Sequence, residues 1–203
     1  MDSQLGETGT RHQWPDRVFH WTMALSVIVL CATAFLPILG LRFDWVPTHW
    51  ISGFVLVAAI LFHWLRVGLV HGVGEMMPGS DDLREVLLDL RARSGTLGSA
   101  KYDAYQKGYH WLSGLVVLVL AATGLVMMAK IDTPWWRRDP SILSDAQWGI
   151  VYVAHGLASL AILFLVILHV YFALLPEHWA TLKSMIQGRG PLLTRGARHE
   201  QKR

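Results

Sequence analysis

Cysteine is almost missing from this chain. Cys31 is the single one among 203 residues and lies inside an apolar run. That excludes an intrachain disulfide, a four-cysteine metal cluster and a Cys-x-x-Cys-His site for covalent haem. Redox chemistry here cannot rest on thiols. Charge is scarce too: 16% of residues are charged and 53% are hydrophobic, against about 25% charged in an ordinary soluble domain, so the composition indicates an integral membrane protein. The formal charge of +3 does not point to nucleic acid, because Lys and Arg flank apolar spans and act as topology signals. No internal repeat or low-complexity linker divides the chain, which reads as one membrane domain over residues 1–203. The first apolar run has no small-residue cleavage site after it, so the first span is expected to stay in the mature protein.

Four apolar segments are present, at about 18–39, 46–70, 109–129 and 147–175, each close to or above the roughly 20 residues that cross a bilayer as a helix. The expected fold is all-α, a four-helix transmembrane bundle. With both termini on one side, that side carries fourteen Lys and Arg and the other carries four, namely Arg42, Lys130, Arg137 and Arg138. The imbalance predicts cytoplasmic termini in a bacterial inner membrane. The loop after the second span holds a short amphipathic helix at the cytoplasmic interface, with Ser80 as N-cap, Asp81 and Asp82 in the first turn, and Leu83, Val86, Leu87 and Leu90 on one face before Gly95. Most tryptophans, among them Trp14, Trp21, Trp45, Trp50, Trp64, Trp135, Trp148 and Trp179, fall near span ends, as an aromatic belt does.

The stretch from Ala146 to Pro176 has no Asp, Glu, Lys or Arg, yet it carries His155 and His169. Fourteen residues of helix separate them by about 21 Å and return them to nearly the same face. One helix therefore offers imidazoles at two membrane depths. At the outer depth only His49 matches His155; at the inner depth His20, His63, His110 and His169 are all available. Two imidazoles facing across a bundle suit a haem iron with both axial positions filled, whereas a tetrahedral zinc wants thiolate or carboxylate neighbours that these spans lack. A six-coordinate haem has no open site for oxygen and transfers electrons. Two layers about 20 Å apart would carry electrons across most of the roughly 30 Å hydrocarbon core. His63, His71 and His178 read as interfacial or packing residues, and Met127 and Met128 as packing. A haem-free metal-binding scaffold or transporter is the alternative from another class, although spans without acidic residues do not suit ion transport.

Particular motifs add a family. Asp16-Arg17-Val18-Phe19-His20-Trp21-Thr22, His49 followed by Gly53, Lys101-Tyr102-Asp103-Ala104-Tyr105-Gln106-Lys107, and His155 with His169 ahead of Val170-Tyr171 resemble the gamma (cytochrome b) subunit of respiratory membrane-bound formate dehydrogenase. That subunit belongs to a di-haem bacterial group shared with hydrogenase and thiosulfate reductase cytochromes, and the resemblance runs from Trp14 to about Gly188. It implies two b haems, the outer iron held by His49 and His155 and the inner by His20 and His169, with Gly53 giving a porphyrin edge room to approach. It further implies a quinone (menaquinone or ubiquinone) near Asp103, Tyr105, Gln106, Lys107, His110 and His169. Electrons would come from an iron-sulfur (beta) subunit and, through it, a molybdenum or tungsten catalytic (alpha) subunit, in a complex that can assemble into a higher oligomer. No formate chemistry is expected on this chain. A hydrogenase or thiosulfate reductase cytochrome, or a stand-alone quinone-linked cytochrome b, fits the same group.

Overall fold

The computed structural model describes residues 8–10, 13–71, 77, 79, 82, 84, 86–88, 91 and 104–191. Four long helices dominate: α1 (Trp14–Phe35), α2 (Trp45–Arg66), α3 (Ala104–Met127) and α4 (Asp145–Leu174). A fifth, α5 (Trp179–Gln187), is short. The four long ones, α2 extended through Leu69 and α3 through Lys130, are long and apolar enough to cross a membrane. The chain is an all-helical membrane protein with one addition to the expected fold. A short antiparallel ladder pairs β1 (Thr8–Thr10) with β2 (Arg189–Pro191), Gly9 opposite Gly190.

Helix ends do not coincide with the ends of the apolar runs. The first helix starts at Trp14 rather than 18 and stops at Phe35 rather than 39, and the third starts at Ala104 rather than 109. The apolar run marks the hydrocarbon edge, whereas backbone hydrogen bonding and local chemistry set the helix limits. Pro15 and Pro47 sit in first turns, where a missing N–H costs nothing. Pro37 cannot continue α1, and Gly40, at φ 94°, turns the chain toward α2 in a conformation that favours glycine. At the start of α4, Ser144 and Gln147 form a reciprocal cap: the Ser144 amide donates to Gln147 Oε1 at 2.9 Å and the Gln147 amide to Ser144 Oγ at 3.4 Å.

Large side chains such as Leu115, Ile150 and Phe164 are more than 60% exposed, as expected for groups that meet lipid.

Two compact units divide the chain. One contains Val18–Arg66 and Ser113–Val170, the bodies of all four long helices. The other draws on Met1–Arg17, Val67–Leu112 and Tyr171–Arg203. In this second unit the two ends of the chain are tied together by the β1–β2 ladder and by Arg17, whose Nε donates to the Met185 carbonyl at 3.2 Å and whose Nη2 donates to the Ile186 carbonyl. These contacts fasten the start of α1 and the strand before it to α5 and the strand after it.

The connection after α2 also lies in this unit. Asp82, Arg84, Val86–Leu88 and Arg91 are helical; Ser80, Asp81, Leu83, Leu90 and Gly95 lie outside the described residues. Asp82 accepts from the Gly79 amide at 2.7 Å and from Lys107 Nζ at 2.9 and 3.0 Å. The Gly79 amide first, and the Lys107 ammonium with it, hold the Asp82 carboxyl below the usual carboxylate range. A depressed folded value means the tie is complete above the unfolded carboxyl value of about 3.9 and is lost as pH falls through the lower folded one. Lys107→Ala should therefore raise the Asp82 titration only part of the way to the ordinary value, because the Gly79 amide stays. Carboxyl-carbon NMR of both proteins in detergent measures this.

Candidate functional site

Helices α2 and α4 carry His49 and His155 to one level of the four-helix unit. Their ring centroids are 6.4 Å apart with planes at 65°. Each ring is held from behind by a threonine on the preceding helix. Thr33 of α1 lies 2.8 Å from His49 Nδ1, and Thr123 of α3 lies 2.8 Å from His155 Nδ1.

The threonines define the ring tautomers. Thr33 Oγ1 is 2.8 Å from the Val29 carbonyl and Thr123 Oγ1 is 2.6 Å from the Val119 carbonyl, one helical turn back in each case. A carbonyl only accepts, so each hydroxyl proton goes to its own helix and the oxygen is left to accept from Nδ1–H. Nε2 then carries the lone pair on both rings, the form in which a neutral imidazole ligates a metal.

A cavity of about 610 Å³ opens between these rings, within the roughly 300–1,000 Å³ range of cofactor pockets. Besides His49 and His155, it is lined by Gly53, Gly124, apolar side chains from all four helices and a single Lys or Arg, Lys130. Its ammonium lies 4.4 Å over the Trp148 ring and 5.0 Å over the Tyr152 ring. Trp148 is 3% exposed and its indole donates to the Pro140 carbonyl at 2.8 Å. It is thus buried, held between the loop before α4 and the Lys130 ammonium.

The residues fit a haem. An imidazole nitrogen binds a transition metal at about 2.0–2.1 Å and lies roughly 1.1 Å from its ring centre, so two rings on opposite sides of one ion have centres about 6.3 Å apart. A direct nitrogen-to-nitrogen hydrogen bond near 2.9 Å would bring the centres to about 5.1 Å. The observed 6.4 Å matches the first case. Lys130 would supply a cation for a porphyrin carboxylate. Neither glycine blocks the space: a Cβ on Gly53 would meet nothing within 4 Å, and one on Gly124 would meet His155 Cε1 at 3.5 Å, an ordinary contact. Gly124→Ala should accordingly keep full haem content. Gly124→Leu, which fills the cavity beside His155, should cost about one haem per chain with the helices intact; pyridine haemochrome assay beside circular dichroism measures both.

At the other end of α4, His169 meets His20 of α1, with centroids 6.2 Å apart and planes at 47°. This spacing matches that of the first pair. His63 stacks on Phe19 instead, at 4.5 Å and 12°. His110 is exposed on α3 beside its neighbour Trp111. The second helix thus gives its other imidazole to an aromatic stack, and α4 contributes one ring to each facing pair.

The segment tied by resemblance to quinone begins outside the described residues, where Lys101, Tyr102 and Asp103 lie. Ala104 opens α3 and is buried; Tyr105 and Gln106 are exposed on its first turn, and Lys107 turns to Asp82. Three cavity or ring partners had not been singled out as site residues from the sequence: Thr33, Thr123 and Lys130; Gly124 had been expected only as a close-packing position of the third span. The two threonines had a signal, a hydroxyl in the middle of an apolar span. Their pairing with particular imidazoles had none, since it spans 16 residues in one case and 32 in the other.

Among the described residues, no three His, Cys, Asp or Glu side chains gather to hold a metal ion. A bare zinc wants about four protein donors, whereas a porphyrin brings its own nitrogens and asks the protein for two. Four apolar spans enclosing facing imidazole pairs therefore define a membrane cytochrome of the b type. A family model described as prokaryotic cytochrome b561 matches residues 11–188, and the chain belongs to that family, an electron-transferring, haem b-binding group of bacterial membrane proteins. A comparison with curated proteins returns no match.

Proposed function

We propose that this chain is the cytochrome b subunit of a respiratory formate dehydrogenase complex in the bacterial inner membrane. It takes electrons from an iron-sulfur subunit on the outer side and passes them through two bis-histidine b haems to quinone near the cytoplasmic face. One observation carries the reading: α4 presents His155 to His49 and His169 to His20 at nearly equal ring separations, 6.4 and 6.2 Å, at two depths of one bundle. Haem supplies one-electron transfer at each level. The protein's residues would hold it: His49 with His155 and His20 with His169 as the iron ligands, the glycines leaving room, and Lys130 countering a carboxylate charge. The Lys and Arg imbalance supports cytoplasmic termini, which puts the His20–His169 level on the inner side. Tyr105, Gln106, Lys107, His110 and Asp103 form the quinone end in this reading, and the iron-sulfur subunit leads back to a molybdenum or tungsten catalytic subunit.

Purified with detergent, the chain should carry two haems and give a reduced spectrum with a Soret band and a b-type α-band that titrates in two one-electron steps. A protein with no Soret band after expression with haem supplementation would overturn the reading. Affinity purification from native membranes distinguishes the complexes: a formate-oxidising partner supports this assignment, and a hydrogenase or thiosulfate reductase replaces it.

A further inference from the structure

We infer that Thr33 and Thr123 are paired positioning residues that set the reduction potential of the haem held by His49 and His155. The inference rests on the bis-histidine reading of that level. It goes further by naming the groups that tune it.

The geometry is the same on both sides of the site. Thr33 is 3% exposed and sits on the helix before His49, and Thr123 sits on the helix before His155. Both hydroxyls stand 2.8 Å from Nδ1. Both also contact two carbonyls of their own helix, Val29 and Leu30 for Thr33 at 2.8 and 3.1 Å, Val119 and Leu120 for Thr123 at 2.6 and 3.2 Å. Those carbonyls occupy the hydroxyl proton and leave the oxygen as acceptor. A side chain serving only its own helix would be satisfied by the carbonyls; these two also meet the imidazole.

An acceptor on Nδ1–H fixes ring orientation and makes Nε2 more basic. A more basic axial nitrogen favours ferric over ferrous iron and lowers the potential. Two such acceptors act on one iron from opposite sides, so removing either should shift the same haem in the same direction. A hydroxyl is a neutral acceptor. It adds basicity without adding a charge to the spans, where a carboxylate in its place would be costly.

The test is redox-titrated spectroscopy of the purified chain with two haems. Thr33→Val and Thr123→Val replace the hydroxyl by a methyl of similar size, and Thr33→Ser restores the acceptor. Each valine variant should keep both haems and raise one potential by about tenfold in the reduction equilibrium, roughly 59 mV for one electron. The haem that shifts should be the one deleted by His49→Ala, the other potential should stay in place, and serine should return the shifted value toward wild type. The low-spin ferric g-values of that same haem should move with it. Unchanged potentials in both valine variants, or shifts on different haems, would overturn the inference while leaving the bis-histidine reading intact. If wild type binds no haem, the reading itself fails. Should a valine variant lose its haem, serine decides: recovery of haem at the wild-type potential supports the role, and a serine protein with haem but a valine-like potential refutes it.

Discussion

His49→Ala is expected to remove one of two haems and leave the other at its wild-type potential. His155→Ala should give the same spectrum. The two rings face each other at 6.4 Å around one cavity, so losing either axial nitrogen opens the same iron. The vacated side cannot be refilled locally, because among the described residues no third His, Cys, Asp or Glu joins either pair. The cavity is walled mainly by apolar side chains from all four helices, which keeps it intact when the ring is truncated. Reduced α-band absorbance should fall by about half, with the remaining band that of the haem at the other end of α4. Electron delivery from an outer donor to quinone should stop in both variants, since the conducting layer nearest the donor is gone. Two haems retained in His49→Ala would sink the assignment of that ligand.

The second large effect concerns the other level, where the sequence leaves four imidazoles in play. His20→Ala should abolish the second haem, and His63→Ala and His110→Ala should each keep both. The distinction is structural: the His20 ring stands 6.2 Å from His169, the separation of two rings that share an ion, while His63 is stacked flat against Phe19 at 4.5 Å. Stacking uses the face of the imidazole and fixes its plane against α1. His63→Ala should thus cost packing, on the order of 0.5–1.5 kcal/mol for the aromatic contact, and no haem. His110→Ala should change neither. A combined His49→Ala, His20→Ala protein should have no Soret band yet remain helical, because the four spans are specified by their apolar runs.

Those runs explain what the sequence by itself determined. A bilayer leaves backbone polar groups no partner but the helix, so uncharged segments of this length report spans almost without reference to anything else. The depth of each histidine follows from its count along the span, and the fourteen residues between His155 and His169 put two imidazoles on one stripe of α4. Composition already excluded thiol chemistry and soluble folds, and the motifs along Asp16–Thr22, Lys101–Lys107 and the last helix reached a bacterial cytochrome b, the class to which the family match at 11–188 assigns the chain.

What the tertiary structure decided is which groups share a level and also share a direction. Depth alone could not separate His20 from His63, because both lie near the same end of adjacent spans; rotation about the helix axis turns one toward His169 and the other toward Phe19. Helix ends escaped the apolar pattern, since caps and prolines set them. The short β1–β2 ladder lies where no hydrophobic signal exists. Least legible were Thr33 and Thr123. A hydroxyl in an apolar span marks itself as unusual, but nothing in the order of residues says that its second contact is an imidazole on the next helix. That pairing depends on how α1 turns toward α2 and α3 toward α4, which is fixed only when the four helices stand around a common cavity.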